Sequence, residues 1–235
     1  MSRGPTRYGD IPEGYALLDD VSRETRDDLA LIVEALRQWQ KAKNLVGPKT
    51  LDEVWTRHVA DSLQLFHLEP RARRWLDLGS GAGFPGLVIA IMLKSRSGPV
   101  SQDATADDAP GGMAGDQYGV HCVESNARKC AFIRHAARIT GAPVVVHHAR
   151  IEDIIAEFVG RVDVVTARAL APLPKLLAWT SPLLKTGVTG LFPKGDQVEA
   201  ELTESLKYWR FNHDTLPSQT DPRGRILRIT DLNPA

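Results

Sequence analysis

One ten-residue stretch, Asp77-Leu78-Gly79-Ser80-Gly81-Ala82-Gly83-Phe84-Pro85-Gly86, constrains this chain more than any other. Glycines directly behind the short apolar run Trp75–Leu78 mark a strand that ends in a tight turn. Without a Cβ the backbone there can take left-handed conformations and come close to a ligand. Pro85, followed by the apolar run Leu87–Leu93, reads as the first turn of a helix, whose free N–H groups face the same turn. Strand, glycine turn and helix form the first half of a βαβ unit, so the chain is committed to a sheet covered by helices.

The sequence behind the turn repeats that alternation. Strands are expected at Val120–Val123, Val144–His147, Val162–Thr166 and Val188–Phe192. Helices are expected at Asn126–Thr140, stopped by Gly141, then around Ile151–Phe158, Leu173–Leu184 and Gln197–Leu206. Trp209–His213 and Ile226–Ile229 close the chain as two strands with no helix between them, so one of the pair should run antiparallel. The fold class is therefore α/β, a Rossmann-like, mostly parallel sheet with an antiparallel final strand pair. In front of it, Leu29, Ile32, Val33, Leu36 and Trp39 recur at helical spacing behind Ser22, a good N-cap residue. That pattern stops at Asn44–Pro48. A second helix is announced by the capping-box pattern Thr50-Leu51-Asp52-Glu53 and carries the stripe Val54, Trp55, Val59, Leu63 and Phe66. Residues 1–70 thus read as a helical extension and 71–235 as the sheet domain. Within that domain, 95–119 is poor in apolar residues and rich in Gly, Pro, Ser and Asp, and reads as an inserted mobile loop.

Composition narrows the function classes. The two cysteines, Cys122 and Cys130, are eight residues apart with no CxxC and no zinc spacing, which points to buried free thiols and to no metal. The first residues are polar and carry Pro5 and Pro12, unlike a signal peptide. Leu87–Leu93 is too short to span a bilayer, so the expected setting is cytoplasmic with no membrane partner. Lys plus Arg and Asp plus Glu both number 29, which argues against whole-chain attraction to nucleic acid. The acids are unevenly spread, however. Asp103, Asp107, Asp108 and Asp116 sit in the insertion, and Asp77 and Glu124 flank the glycine turn, which leaves room for a local basic patch.

The glycine turn can be read in two phases. From Gly81 it satisfies G-x-G-x-x-G (Gly81, Gly83, Gly86), the dinucleotide fingerprint, and supports an NAD-dependent oxidoreductase. From Gly79 it satisfies G-x-G-x-G with an acid at the strand end, which resembles motif I of S-adenosylmethionine methyltransferases. A pyrophosphate wants unhindered amides and no nearby carboxylate, whereas the ammonium of a methionine moiety can be held by Asp77, so Asp77 favours the second phase. Glu124, at the end of the second strand, can accept from both ribose hydroxyls. A non-catalytic nucleotide-binding regulator is a third reading.

The segments Asn44-Leu45, Arg57–Ser62, Leu76–Pro85, Glu124–Arg134, Ala149–Asp153, Thr166–Ala169 and Lys194-Gly195 follow one another in an order that resembles the bacterial small-subunit ribosomal RNA guanine-N7 methyltransferases (RsmG, or glucose-inhibited division protein B). The likeness covers roughly residues 25–230. It implies S-adenosyl-L-methionine as cofactor and 16S rRNA, the 30S subunit or an assembly intermediate as partner. Carried onto this sequence, the family's cofactor contacts fall on Gly79 and Phe84, on Ile151 and Glu152, and on Arg168, beside Asp77, Gly81, Gly83 and Glu124. The insertion departs from the family pattern, as do Phe84 and Glu124, which stand where relatives often carry Leu and Asp.

Guanine N7 has an in-plane lone pair and no proton to lose, so methyl transfer to it needs alignment and no general base. The sequence after the fourth strand, Thr166-Ala167-Arg168-Ala169-Leu170-Ala171-Pro172, lacks the Asn/Asp-Pro-Pro-aromatic tetrad of exocyclic-amine methylation, and neither cysteine follows a proline. No catalytic acid or base is therefore assigned. Candidates for gripping RNA are Arg57, His58, Arg128, Lys129, Arg150 and Lys194, with Arg71, Arg73 and Arg74 as further cations. Arg57 and Asp61, four apart on a helix, can alternatively form a structural ion pair. N7 is hidden in the deep groove of A-form RNA, so the target should be a loop or an exposed assembly intermediate.

Overall fold

The computed structural model describes Leu18 and residues 21–41, 45–47, 51–97 and 118–235. Ser22 caps α1 (Arg23–Gln40), its hydroxyl accepting from the Thr25 N–H at 3.2 Å. A π-helical turn, Trp55–Ala60, runs into α2 (Asp61–Leu68). The sheet domain then follows as β1 (Arg74–Leu78), α3 (Gly86–Ser97), β2 (Gly119–Glu124), α4 (Ala127–Thr140) and β3 (Val144–His148). It continues through α5 (Ile151–Ile154), a 3-10 turn (Ile155–Phe158), β4 (Val164–Thr166), α6 (Leu173–Leu184), β5 (Thr189–Lys194) and α7 (Val198–Ser205). It closes with β6 (Trp209–Pro217) and β7 (Arg225–Pro234).

The seven strands lie in the order β3-β2-β1-β4-β5-β7-β6. The first five pair in parallel, and β7 runs antiparallel to both β5 and β6. This is the expected Rossmann-like sheet with its antiparallel final pair, β7 being the reversed strand. The order turns back at β1 and β4, and in open α/β sheets ligands bind at such a switch point, outside the carboxyl ends of the strands. One buried cluster joins α1, α2, α3 and α4 on one face, with Leu29, Ile32, Phe66, Leu87 and Phe132 among its members. A second joins the α5 segment, α6 and α7 on the other, through Phe158, Leu176, Leu183 and Leu202. The N-terminal helix α1 thus packs against α3 and α4 and shares their core.

Several boundaries differ from the sequence expectation. The capping box falls partly outside the described residues, since Thr50 is not among them; Glu53 pairs with Arg57 at 3.2 Å. The loop expected at 95–119 starts three residues too early, because α3 continues through Ser97, and β2 already begins at Gly119; 98–117 lies outside the described residues. Its polar Lys94, Ser95 and Arg96 stay helical because each finds a partner: Asp28, the Met92 carbonyl and the Pro70 carbonyl. Both final strands are longer than their apolar cores, since Asn212, His213 and Asp214 on β6 pair with β7 while pointing polar groups at solvent. Gly141 ends α4 as expected, at φ 63° with its N–H on the Ala137 carbonyl. No described helix is long and apolar enough to cross a membrane.

Candidate active site

The glycine turn is built from three different requirements. Gly79, Gly81 and Gly83 have φ of 63°, 59° and 85°, in the region where a side chain is strained. A Cβ on Gly79 would lie 2.5 Å from Leu170, and one on Gly83 2.4 Å from Leu87. Gly86 lets α3 approach the sheet, since a Cβ there would lie 2.5 Å from the Cys122 sulfur and 2.9 Å from Asp77 Oδ2. Ser80 anchors the turn, its N–H donating to the Val123 carbonyl at 3.1 Å and its hydroxyl to the Asp77 carbonyl at 2.9 Å.

Asp77 lies beneath this turn and is buried. Its Oδ2 accepts from the Gly86 N–H at 3.0 Å, while Oδ1 is buried without a hydrogen-bond partner. Burial pushes its carboxyl up to about 7, against the opposing pull of the Gly86 N–H, Ser80 and Arg168. Glu124 ties the turn to the next helix. Its Oε2 accepts from the Gly81 N–H at 2.9 Å and its Oε1 from the Asn126 N–H at 2.8 Å. Asn126 in turn caps α4 through the N–H groups of Arg128 and Lys129.

A cavity of about 370 Å³ opens above the carboxyl ends of β1, β2 and β3. Gly79, Glu124, Ile151 and Glu152 line it, as do two RNA candidates, Lys129 and Arg150. Asp77, Gly81, Gly83 and Phe84 do not line it. Lys175 and Trp179, one turn apart on α6, close its far side, with the ammonium 4.6 Å from the indole centroid. Sequence reasoning missed both. Their i,i+4 spacing just after the β4 turn was the available signal, absorbed there into the apolar stripe of a covering helix.

A second cavity of about 480 Å³ lies beside the first, and Ala169 and Leu170 line both. Ala169 holds φ 50°, so the partition carries one of the few left-handed non-glycine residues. Arg168 lines the second cavity and not the first. Its guanidinium donates to the Arg57 carbonyl, to His58 Nδ1 at 2.7 Å and to Asp61 Oδ2 at 3.5 Å. His58 is buried against Phe84, ring centroids 4.9 Å apart. Burial first, and Arg168 second, pull it down to about 4, so it is neutral. With Nδ1 accepting from Arg168, the proton sits on Nε2.

The Arg57–Asp61 ion pair, the alternative reading of that spacing, does not form. Arg57 reaches Glu53 and, at 3.1 Å, Asp221 in the β6–β7 connection, while Asp61 takes Arg168 and the Thr220 hydroxyl. The π-helical turn between them breaks the i,i+4 geometry on which that expectation rested. Gln64 completes the latch to the same connection, accepting from the Gln219 N–H at 3.0 Å. Lys194 is 8% exposed and paired with Glu201 at 2.7 Å. Among the described residues Arg128, Lys129, Arg150 and Lys175 have no carboxylate partner, so the RNA candidates separate into a paired set (Arg57, His58, Lys194) and an uncommitted one (Arg128, Lys129, Arg150). Cys122 and Cys130 are free and buried, and the described residues contain no cluster able to hold a metal ion.

A family model described as rRNA small subunit methyltransferase G matches residues 25–100 and 112–222. The Ribosomal RNA small subunit methyltransferase G of Methylorubrum populi is 55% identical over 91% of this chain and 92% of its own. Its counterpart from Parvibaculum lavamentivorans is 46% identical over 94% and 89%. Among solved structures, an O-methyltransferase from Bacillus cereus in complex with SAH is similar in fold, with TM-score 0.53 and 13% identity over 85% of this chain and 90% of that one. The oxidoreductase phase of the glycine turn finds no support in these likenesses.

Proposed function

The chain belongs to the rRNA small subunit methyltransferase G family, and from that premise we propose that it methylates N7 of a guanine in 16S rRNA, with S-adenosylmethionine held in the cavity behind Gly79. The observation that carries this reading is the partition: a cofactor-sized cavity and a second groove meet across Ala169 and Leu170. The first cavity fits the cofactor, since its volume lies in the usual range for a small-molecule site and a side chain at Gly79 would collide with its Leu170 wall. S-adenosylmethionine supplies a methyl group on a sulfonium, ready for in-line displacement.

The chain's own residues bind and align. Asp77 attracts an ammonium by charge from beneath the turn, and Glu124 has lone pairs left for ribose hydroxyls beyond the two amides it already serves. Ile151 and Glu152 take the adenine side, and Gly79, Gly81, Gly83 and Phe84 fix the turn. Arg168 acts on the cofactor from the neighbouring cavity, through charge and through its hold on the Phe84–His58 stack. Neither Ala169 nor Leu170 carries an acid or base, which suits a nucleophile that loses no proton. RNA phosphates would be met by Arg128, Lys129 and Arg150, with Arg57, His58 and Lys194 shaping the groove. Arg128 and Lys129 occupy the first turn of α4, where the helix dipole disfavours cations, a placement that costs stability and so calls for a role.

The test is deletion of the gene followed by chemical cleavage at 7-methylguanosine in 16S rRNA. One cleavage site should vanish and return on complementation; an unchanged pattern would overturn the reading. Calorimetry should show S-adenosylhomocysteine binding and no NADH binding.

A further inference from the structure

We propose that Glu201 reads the guanine base, accepting a hydrogen bond from its N1–H and 2-amino edge in the second groove. The inference rests on the guanine-N7 reading above and names how that base is selected. Three carboxylates line the groove: Asp61, Asp221 and Glu201. Asp61 uses both oxygens, Oδ1 for Gln64 and Thr220 and Oδ2 for Arg168. Asp221 uses both as well, Oδ1 for the Arg223 N–H and Oδ2 for Arg57. Glu201 differs. Its Oε2 takes the Leu173 N–H at 2.6 Å and Lys194 Nζ at 2.7 Å, and among the described residues Oε1 takes nothing.

The two contacts on Oε2 fix the side chain and leave the other oxygen for a ligand. Leu173 opens α6, so the carboxylate sits at a helix N-terminus, and Lys194 is itself held by the Ala171 carbonyl at 2.9 Å. The side chain is 22% exposed and lines the groove, so the carboxylate is held by a rigid mount beside a surface a ligand can reach. Apolar Pro172, Leu176, Pro193 and Ile226 line the same groove and suit the faces of a purine. Of the common bases guanine alone offers two adjacent N–H donors on its Watson–Crick edge, while adenine presents a ring acceptor there. A carboxylate acceptor therefore selects guanine, and gripping that edge leaves N7, on the imidazole ring, free for the methyl group.

The test is a chemical cycle on the target nucleotide. Ligated 16S rRNA carrying guanosine or inosine at the mapped position, assembled into 30S subunits, is methylated by wild type and by Glu201→Gln. Inosine keeps N7, O6 and N1–H and lacks the 2-amino group. Wild type should lose about tenfold or more in kcat/KM on inosine, the worth of one hydrogen bond to a charged group. Glu201→Gln should lose a similar factor on guanosine and treat both RNAs alike, with S-adenosylhomocysteine affinity unchanged. A role confined to capping α6 or neutralising Lys194 would leave the inosine penalty intact in the variant, and that outcome overturns the proposal. So does a wild type indifferent to the 2-amino group. If Glu201→Gln misfolds, Glu201→Asp must still shift the inosine-to-guanosine ratio toward one; an unchanged ratio is equally fatal. Failure of wild type to methylate guanosine-bearing RNA at all would strike the functional reading instead.

Discussion

Gly79 combines a left-handed backbone with a Cβ position already filled by Leu170, so even alanine has no unstrained solution there. Gly79→Ala should weaken S-adenosylhomocysteine binding at least tenfold by calorimetry, because the displaced Leu170 is itself a cavity wall. Asp77 gives a pH signature. Its folded value of about 7 stands above the ordinary 3.8, so between those values the folded protein holds a proton that the unfolded chain releases. Its contribution to stability is therefore complete below about pH 4 and is lost as pH rises through 7. Urea titrations at pH 5 and pH 8 should show that decline, and Asp77→Asn should flatten it. S-adenosylhomocysteine affinity should run the other way, rising between pH 6 and 8, since the ionised carboxylate is the form that holds an ammonium; a pH-independent affinity would remove Asp77 from the ligand's surroundings. The glycines and Asp77 were legible in the sequence because their types are dictated by local backbone geometry and charge. Arg168 was legible by resemblance, but its partners were not, for they come from Arg57, His58 and Asp61, more than a hundred residues upstream.

At the scale of elements, the π-helical turn and the β6–β7 connection are clasped together beside the groove, and the two arginines of that clasp should behave differently. Arg57 is 45% exposed, and Arg57→Ala should cost under about 1 kcal/mol in urea denaturation. Arg168→Ala removes the cation beside a half-buried Asp61 and the donor to His58, with a cost of about 2 kcal/mol. Equal costs would mean that the clasp is not organised around Arg168. Helix α4 offers the opposite trade. Arg128→Glu should raise stability by a few tenths of a kcal/mol, since an acid suits the first turn, while lowering kcat/KM on RNA and leaving S-adenosylhomocysteine affinity alone. Strand and helix alternation was readable from period alone. The π-helical turn was not, because its widening is set by what Arg57 and Asp61 must reach and leaves no mark on the apolar stripe Val54, Trp55, Val59 and Leu63.

For the whole molecule, zero net charge fits the proposal that RNA is held by a few placed cations. With Lys129 and Arg150 lining the first cavity, Arg128 beside Lys129, and none of the three paired with a carboxylate, the slope of log K against log salt should be about −2 to −3, far shallower than for a basic RNA-binding protein. A slope near −8 would mean that the contact surface is much larger than these three residues. The mostly parallel sheet and its antiparallel final pair followed from the sequence, but the strand order did not, because it depends on pairing across the chain. The division of the carboxyl edge into two compartments did not follow, because it is made by Ala169 and Leu170, residues with no chemistry to announce them. That thin boundary has a pharmacological consequence. An adenosine fragment in one compartment and a purine in the other could be joined by a tether of a few atoms, and the joined compound would gain from effective concentration what neither fragment has alone. Its adenosine half would be shared with many enzymes, so selectivity would have to be built into the half that meets Glu201.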